Sequence, residues 1–405
     1  MPGGGYVFTV AYMRKPQPDA PLEVVIVGAG VAGLETAIAL RALAAARVDI
    51  TLVSPNTEFV YRPLSVAEPF GLDSPHAYPI ERIAADVGAT FVQDELAWVG
   101  ARGQRAFLSG GGEISYDALV LALGARATAA WPDVLTFAGP RDVPPVQELL
   151  AELARGEVTS LAFVVPSGIT WPFPLYELAL LIANRAREAG VGVEFAMFTP
   201  EREPLAVFGR EASAEVAGLL DAAGVRFHGG LAVEVEGRSS VRGRNDGGGV
   251  ETFDRLLALP RLEGPAARGL PFDDEGFIPI DAHGMVLDVE HVYAAGDGTN
   301  FPVKQGGIAT QQADAVAELI AKRAGARVDP RPLRPILRGH LMADGSSRFL
   351  RGELHHRDGG ASEASESAMW WPANKIAGAY LAPYLAALDA SAAGVGIERS
   401  APATP

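Results

Sequence analysis

The run Glu23-Val24-Val25-Ile26-Val27 passes directly into Gly-Ala-Gly-Val-Ala-Gly at residues 28–33, and then into an alanine- and leucine-rich stretch, LETAIALRALAAA. A short β-branched run is what a central parallel strand requires. The glycines that follow make a tight turn (Gly28), admit a pyrophosphate to bare backbone (Gly30) and let the helix pack on the strand (Gly33). The helix N-terminus then meets phosphate with free N–H groups and its positive dipole end. With DITLVS at 49–54 as the next strand, the segment reads as a βαβ unit that binds a dinucleotide. Its second strand ends on Ser54, where such a unit usually carries Asp or Glu for the ribose; a hydroxyl bonds ribose more weakly.

The rest of the chain extends this pattern. YDALVLALG (116–124) is a buried strand ending on Gly124. LAFVV (161–165) opens a second α/β unit, with a helix over 175–189, a strand over 193–199 and a helix over 214–224 closed by Gly224. FDRLLALP (253–260) echoes YDALVLALG, as two related halves would. VYAAGDGTN (292–300) is a further strand, and a long helix runs over 306–325. Past Pro330 a hairpin spans 337–354 around Asp344-Gly345. Ile376, Tyr380, Tyr384 and Leu388 then recur four apart, as on one amphipathic helix. The expected fold class is α/β: two dinucleotide-binding (Rossmann-like) domains, the second inserted into the first, plus a small C-terminal α+β module. The divisions are a disordered leader (1–20, with Met13 as the native start), a nucleotide domain (21–142 and 266–330), a second Rossmann-like domain (143–265) and the C-terminal module (331–405).

Composition excludes several functions. A net charge of −15 opposes nucleic-acid binding and attraction to anionic lipid. No cysteine is present, which removes disulfides, thiolate metal sites and thiol redox chemistry. No apolar run approaches a membrane span, and no signal-peptide pattern opens the chain, so a cytoplasmic location is expected. His355-His356 reads as a solvated pair, and no metal site is expected.

Asp297, between Gly296 and Gly298 at a strand end, can reach a ribityl hydroxyl while the backbone lies close. Together with GAGVAGLE, YDALVLALG and the helix opening at KQGGIATQQA, AAGDG completes a four-part FAD signature. By these residues the chain resembles the pyridine nucleotide-disulfide oxidoreductase superfamily, and within it the sulfide:quinone oxidoreductase and type II NADH dehydrogenase branch. The resemblance covers roughly 22 to 330, with a C-terminal module as in that branch; Leu123 departs from the family's Thr. It implies an extended FAD, with pyrophosphate at Gly28, Gly30 and Gly33, Gly124 and Gly296 at the strand ends, and Asp297 on the ribityl chain. The helix near Gly307 and Ile308 would face the pyrimidine end of the ring. Lys304 would stabilise the anionic reduced flavin there; the alternative is a surface lysine. Gln311 of the Gln-Gln element and Trp371 before the last helix are candidates for the substrate side.

The second unit's loop, VVPSGITWPFPLYE (164–177), departs from a nucleotide cradle. In the sulfide-oxidising members that loop carries a catalytic cysteine before a P-x-Y-E-like run. Here Pro174, Leu175, Tyr176 and Glu177 match P-x-Y-E and the cysteine is missing. Trp171 and Phe173 either wall the substrate side or are interface core. Glu177 is either a base near the flavin or a helix-start capping group. Three functions follow. The first is an FAD oxidoreductase that passes two electrons from an unidentified donor to a quinone-like or protein acceptor, without cysteine chemistry. The second is a flavin-bound electron-transfer or scaffold partner of another protein. The third is an NAD(P)H:acceptor reductase, disfavoured because a bulky loop keeps pyrophosphate from backbone. The C-terminal helix packs on its own FAD domain or a homodimer partner, rather than on a membrane.

Overall fold

The computed structural model describes residues 20–244, 249–343, 345–354 and 361–392. The leader, the turn residue Asp344, His355-His356 and the terminal tail lie outside the described residues.

Two five-stranded parallel sheets organise the chain. In the first, the order is Val292–Ala294, Ala118–Leu121, Leu22–Val27, Val48–Val53, Thr90–Val92. In the second it is Leu135–Thr136, Arg255–Ala258, Ser160–Val164, Glu194–Phe198, Val225–His228. The echo between YDALVLALG and FDRLLALP has a structural counterpart, since each forms the strand beside the opening strand of its own sheet. Its chemistry is shared as well. The Asp117 carboxylate accepts the Glu23 N–H at 2.9 Å, and the Asp254 carboxylate accepts the Thr159 and Ser160 N–H groups at 2.8 and 3.0 Å. Each Asp ties its strand to the start of the neighbouring one, and the aromatic residue before it, Tyr116 or Phe253, is buried beneath.

On one face of the first sheet the helices Val31–Ala44 and Gly306–Arg323 pack side by side. Leu34, Leu40, Val316 and Ile320 are fully buried between them and the sheet, each contributing about 1.5–3 kcal/mol relative to exposure. Both helices point their N-termini at the carboxyl ends of the strands, where α/β sheets bind ligands.

The expected hairpin is present as Ile336–Ala343 paired with Ser346–Glu353, with Ser362–Ser365 added as a third strand. Burial alternates along Ile336–Ala343, and Leu337 and Leu341 are fully buried in the core of the second unit. At Gly339 a Cβ would stand 2.4 Å from the Phe173 ring, so only glycine lets the hairpin close on the helix Phe173–Glu188 of the second unit. The last helix is shorter than the four-residue spacing predicts: it spans Leu381–Ala392, and Ile376 and Tyr380 precede it. Pro383 explains the start, because a proline at that place has no N–H for an earlier turn and clashes with the carbonyl four residues before it. The four spaced residues nonetheless all pack on the first unit's core.

Candidate active site

The glycine turn divides its labour. Gly28 has φ +103°, and a Cβ there would lie 2.2 Å from the Ala122 carbonyl oxygen; one at Gly33 would lie 1.8 Å from that of Gly28. Those two glycines let the turn pack on the neighbouring strand and on itself. Gly30 faces open space, is exposed, and leads into a helix that no side chain caps. This is the geometry that admits a phosphate to backbone N–H groups. Ser54 is buried at the end of the second strand, and its Oγ accepts the Asn56 N–H at 3.2 Å.

At the carboxyl ends of the neighbouring strands, Gly124 (φ +69°) and Gly296 (φ +88°) turn the chain, and a Cβ on Gly298 would come within 2.9 Å of the Gly124 carbonyl oxygen. The Gly296 N–H donates to Gln312 Oε1 at 2.7 Å, and Gln312 Nε2 reaches Thr299 Oγ1 at 3.3 Å. Gln312 is buried and so fixes the loop that presents Asp297. Sequence reasoning singled out its neighbour Gln311. That residue instead bonds the Gly307 and Ile336 backbone at 2.7 to 2.9 Å, which fastens the hairpin to the helix. The Ile308 N–H is committed as well, to Gln305 Oε1 at 2.8 Å. Gln305 caps this helix, and among the described residues the N–H groups of Gly306 and Gly307 have no protein acceptor.

A cavity of about 1070 Å³ opens between the first unit's strand ends, the second unit's loop and the C-terminal module. Asp297 and Lys304 stand on one wall; Trp171, Phe173 and Glu177 on another; Lys375 and Ile376 close a third. Gln311 and Trp371 do not line it, and Trp371 is 68% exposed. Burial pushes the Asp297 carboxyl above its ordinary range, with Lys304 and Arg62 opposing. The Lys304 ammonium donates to the Thr299 carbonyl and lies 3.6 Å over the Phe277 ring. Burial brings its pKa down to about 8, against the pull of Asp297, Asp273 and Glu275.

Trp171 and Phe173 stack in parallel with centroids 5.2 Å apart, and both lean on Phe208. They form both interface core and cavity wall. Glu177, 1% exposed, receives Lys375 Nζ at 2.6 Å on one oxygen and the Met342 N–H at 2.8 Å on the other. Burial raises its pKa, and the Lys375 charge opposes the shift. Lys375 Nζ also reaches the His340 carbonyl at 3.3 Å. In the second unit, Glu201 follows the strand Glu194–Phe198, near where a dinucleotide fold carries its ribose carboxylate. It accepts the Tyr176 hydroxyl at 2.7 Å, and burial pushes its pKa up to about 7. Neither Lys375 nor Glu201 stood out in the sequence.

Residues 22–315 match the family model described as pyridine nucleotide-disulphide oxidoreductase. The chain belongs to that family. FAD is its cofactor, and the open Gly30 backbone, the uncapped helix start and the Asp297 loop fit it. The chain is 28% identical over 365 residues to the ferredoxin reductase component of a chlorobenzene dioxygenase from Cupriavidus sp. (strain PS12), a match covering 82% of this chain and 83% of that one. The solved sulfide:quinone oxidoreductase of the hyperthermophilic bacterium Aquifex aeolicus shares the fold, with a TM-score of 0.76 at 18% identity over 85% of this chain and 87% of that one. Putidaredoxin reductase, solved in covalent complex with putidaredoxin, gives a TM-score of 0.57 at 21% identity over 83% of this chain and 82% of that one. The protein is a flavin-dependent oxidoreductase. Among the described residues, no helix is long and apolar enough to cross a membrane, and no three acidic or histidine side chains group as a metal site.

Proposed function

We propose that this flavoenzyme passes two electrons from a small-molecule donor to a quinone-like or protein acceptor, with no thiol step and no nicotinamide nucleotide. The loop at Trp171–Pro174 carries this reading. Where a second pyrophosphate would need bare backbone, the chain sets two stacked aromatics and two prolines. The ribose-type carboxylate beside it, Glu201, is already engaged by Tyr176. Thiol chemistry is closed because the chain has no cysteine.

Bound FAD supplies a two-electron carrier. Gly28, Gly30, Gly33 and Asp297 would hold it. The free N–H groups of Gly306 and Gly307, with Lys304, would favour negative charge at the edge they face. Trp171 and Phe173 present apolar surface to the adjoining cavity. Lys375 presents Nζ at the cavity wall, where the Glu177 carboxylate orients it. A substrate oxygen seated there would find a proton donor held in place by a buried carboxylate, and solvent would return the proton to Nζ after transfer.

The test is anaerobic mixing of the yellow protein with millimolar NADH while the flavin band is followed. Reduction far below the roughly 10 per second of a median enzyme is expected. Rapid, saturable bleaching would replace this reading with an NAD(P)H:acceptor reductase. The ferredoxin reductase relative favours a redox protein as a partner; in the second reading that protein is the only partner and no small molecule reduces the flavin. A panel of small-molecule donors in the same instrument separates the two.

A further inference from the structure

Residues 375–381 form a strap that leaves the cavity wall and crosses both helices of the first unit. The Ile376 N–H donates to the Tyr61 hydroxyl at 2.8 Å, and the Thr310 hydroxyl donates to the Ala377 carbonyl at 3.5 Å. Next, the N–H groups of Tyr380 and Leu381 both donate to one carboxylate, that of Glu35, at 2.8 and 2.7 Å. Gly378 is pressed so closely against it that a Cβ would lie 2.6 Å from Glu35 Oε2. Glu35 is fully buried on the helix Val31–Ala44. Among the described residues no Lys or Arg pairs with it or with Asp314, its neighbour from the helix Gly306–Arg323. One oxygen of Asp314, Oδ1, is buried and has no hydrogen-bond partner.

An orphaned buried carboxylate oxygen beside a second buried carboxylate is costly unless a proton lies between the two. We propose that Glu35 and Asp314 share one proton and form a clasp that positions the strap, with Lys375 and Ile376, at the cavity wall, and that loss of this proton loosens the strap. The other titratable groups facing the pair are Glu318, on the Asp314 helix, and Tyr380, on the strap. Neither supplies a positive charge. Burial and the neighbouring Glu35 push the Asp314 carboxyl well above its usual range; burial also raises Glu35, while the backbone N–H groups it accepts oppose that shift.

The sign follows from proton counting. The clasped state holds a proton that an open, solvated pair releases near the ordinary carboxyl pKa of about 4. The clasp is therefore strongest below that value. It weakens as pH rises toward the raised pKa of the closed pair, by up to tenfold in the opening constant per pH unit, and levels off beyond. Asp314→Asn keeps a permanent N–H donor to Glu35 and has no proton to lose.

The experiment is hydrogen exchange of the FAD-loaded protein, read on peptides covering 376–382 from weakly acidic to weakly alkaline pH and corrected for intrinsic exchange. Wild type should show opening that rises with pH, and Asp314→Asn opening that does not. Glu35→Gln, which keeps one acceptor and removes the shared charge, should open more than wild type at weakly acidic pH and with a flat profile. If Asp314→Asn does not fold, the wild-type and Glu35→Gln profiles decide alone. A wild-type strap whose corrected exchange is independent of pH, or a variant profile parallel to wild type, would overturn the proposal. None of these readings depends on which donor or acceptor the enzyme uses.

Discussion

Lys304 stands where burial and charge pull in opposite directions. Desolvation lowers its pKa to about 8, while Asp297, Asp273 and Glu275 favour its charged form. An ammonium at the flavin edge stabilises the reduced, anionic state, so Lys304→Met should lower the two-electron potential. A loss of about 1.4 kcal/mol corresponds to roughly 30 mV. Because the ammonium is charged below its pKa and neutral above it, the gap between wild type and variant should close as pH rises through about 8. Spectroelectrochemical titration at several pH values checks both; an unchanged potential in a folded variant would leave Lys304 only its structural contacts with the Thr299 carbonyl and the Phe277 ring. Gly30 offers a second residue-scale test. Its Cβ direction is open, so the fold should accept Gly30→Trp while the indole fills the pyrophosphate's place, and the variant should purify colourless.

At the scale of elements, the joint between the second unit's helix and the C-terminal module contains a buried ion pair, Glu177–Lys375, between residues 198 positions apart. Both side chains are nearly inaccessible. Removing one partner strands a buried charge, so Glu177→Gln and Lys375→Met should each cost about 3–5 kcal/mol. The double variant should cost clearly less than their sum, as a cycle of urea unfolding curves would show. Additive losses would mean that the pair does not couple the two elements. The element boundaries show what a periodic pattern can reveal. Four-residue spacing correctly marked Ile376, Tyr380, Tyr384 and Leu388 as core-facing, yet half of that face lies on a strap. Pro383 and the contact of Gly378 with Glu35 decide this, and only the proline is visible as a helix boundary.

For the whole molecule, cofactor binding is coupled to folding. FAD binds the folded state alone, so removing it should lower the unfolding temperature. Adding it back should restore stability with the logarithm of free FAD, about 2.7 kcal/mol at a hundredfold excess over Kd. Differential scanning calorimetry of stripped and reloaded protein measures this. Gly30→Trp should unfold at the same temperature with and without added FAD.

The glycine turn at 28–33, the strand-end loop at Asp297 and the parallel strands were legible in the chain because each is a local matter. A glycine turn or a buried strand is specified by a few adjacent residues and their backbone limits. The site's polar partners were not legible. Gln312 holding Gly296, Lys375 on Glu177, Tyr176 on Glu201 and Glu35 gripping the strap join residues that only folding brings together. A side chain's spacing along the chain carries no record of which distant group will share its desolvation. The tertiary structure therefore decided which of two adjacent glutamines steadies the Asp297 loop, and which lysine meets Glu177 at the cavity wall.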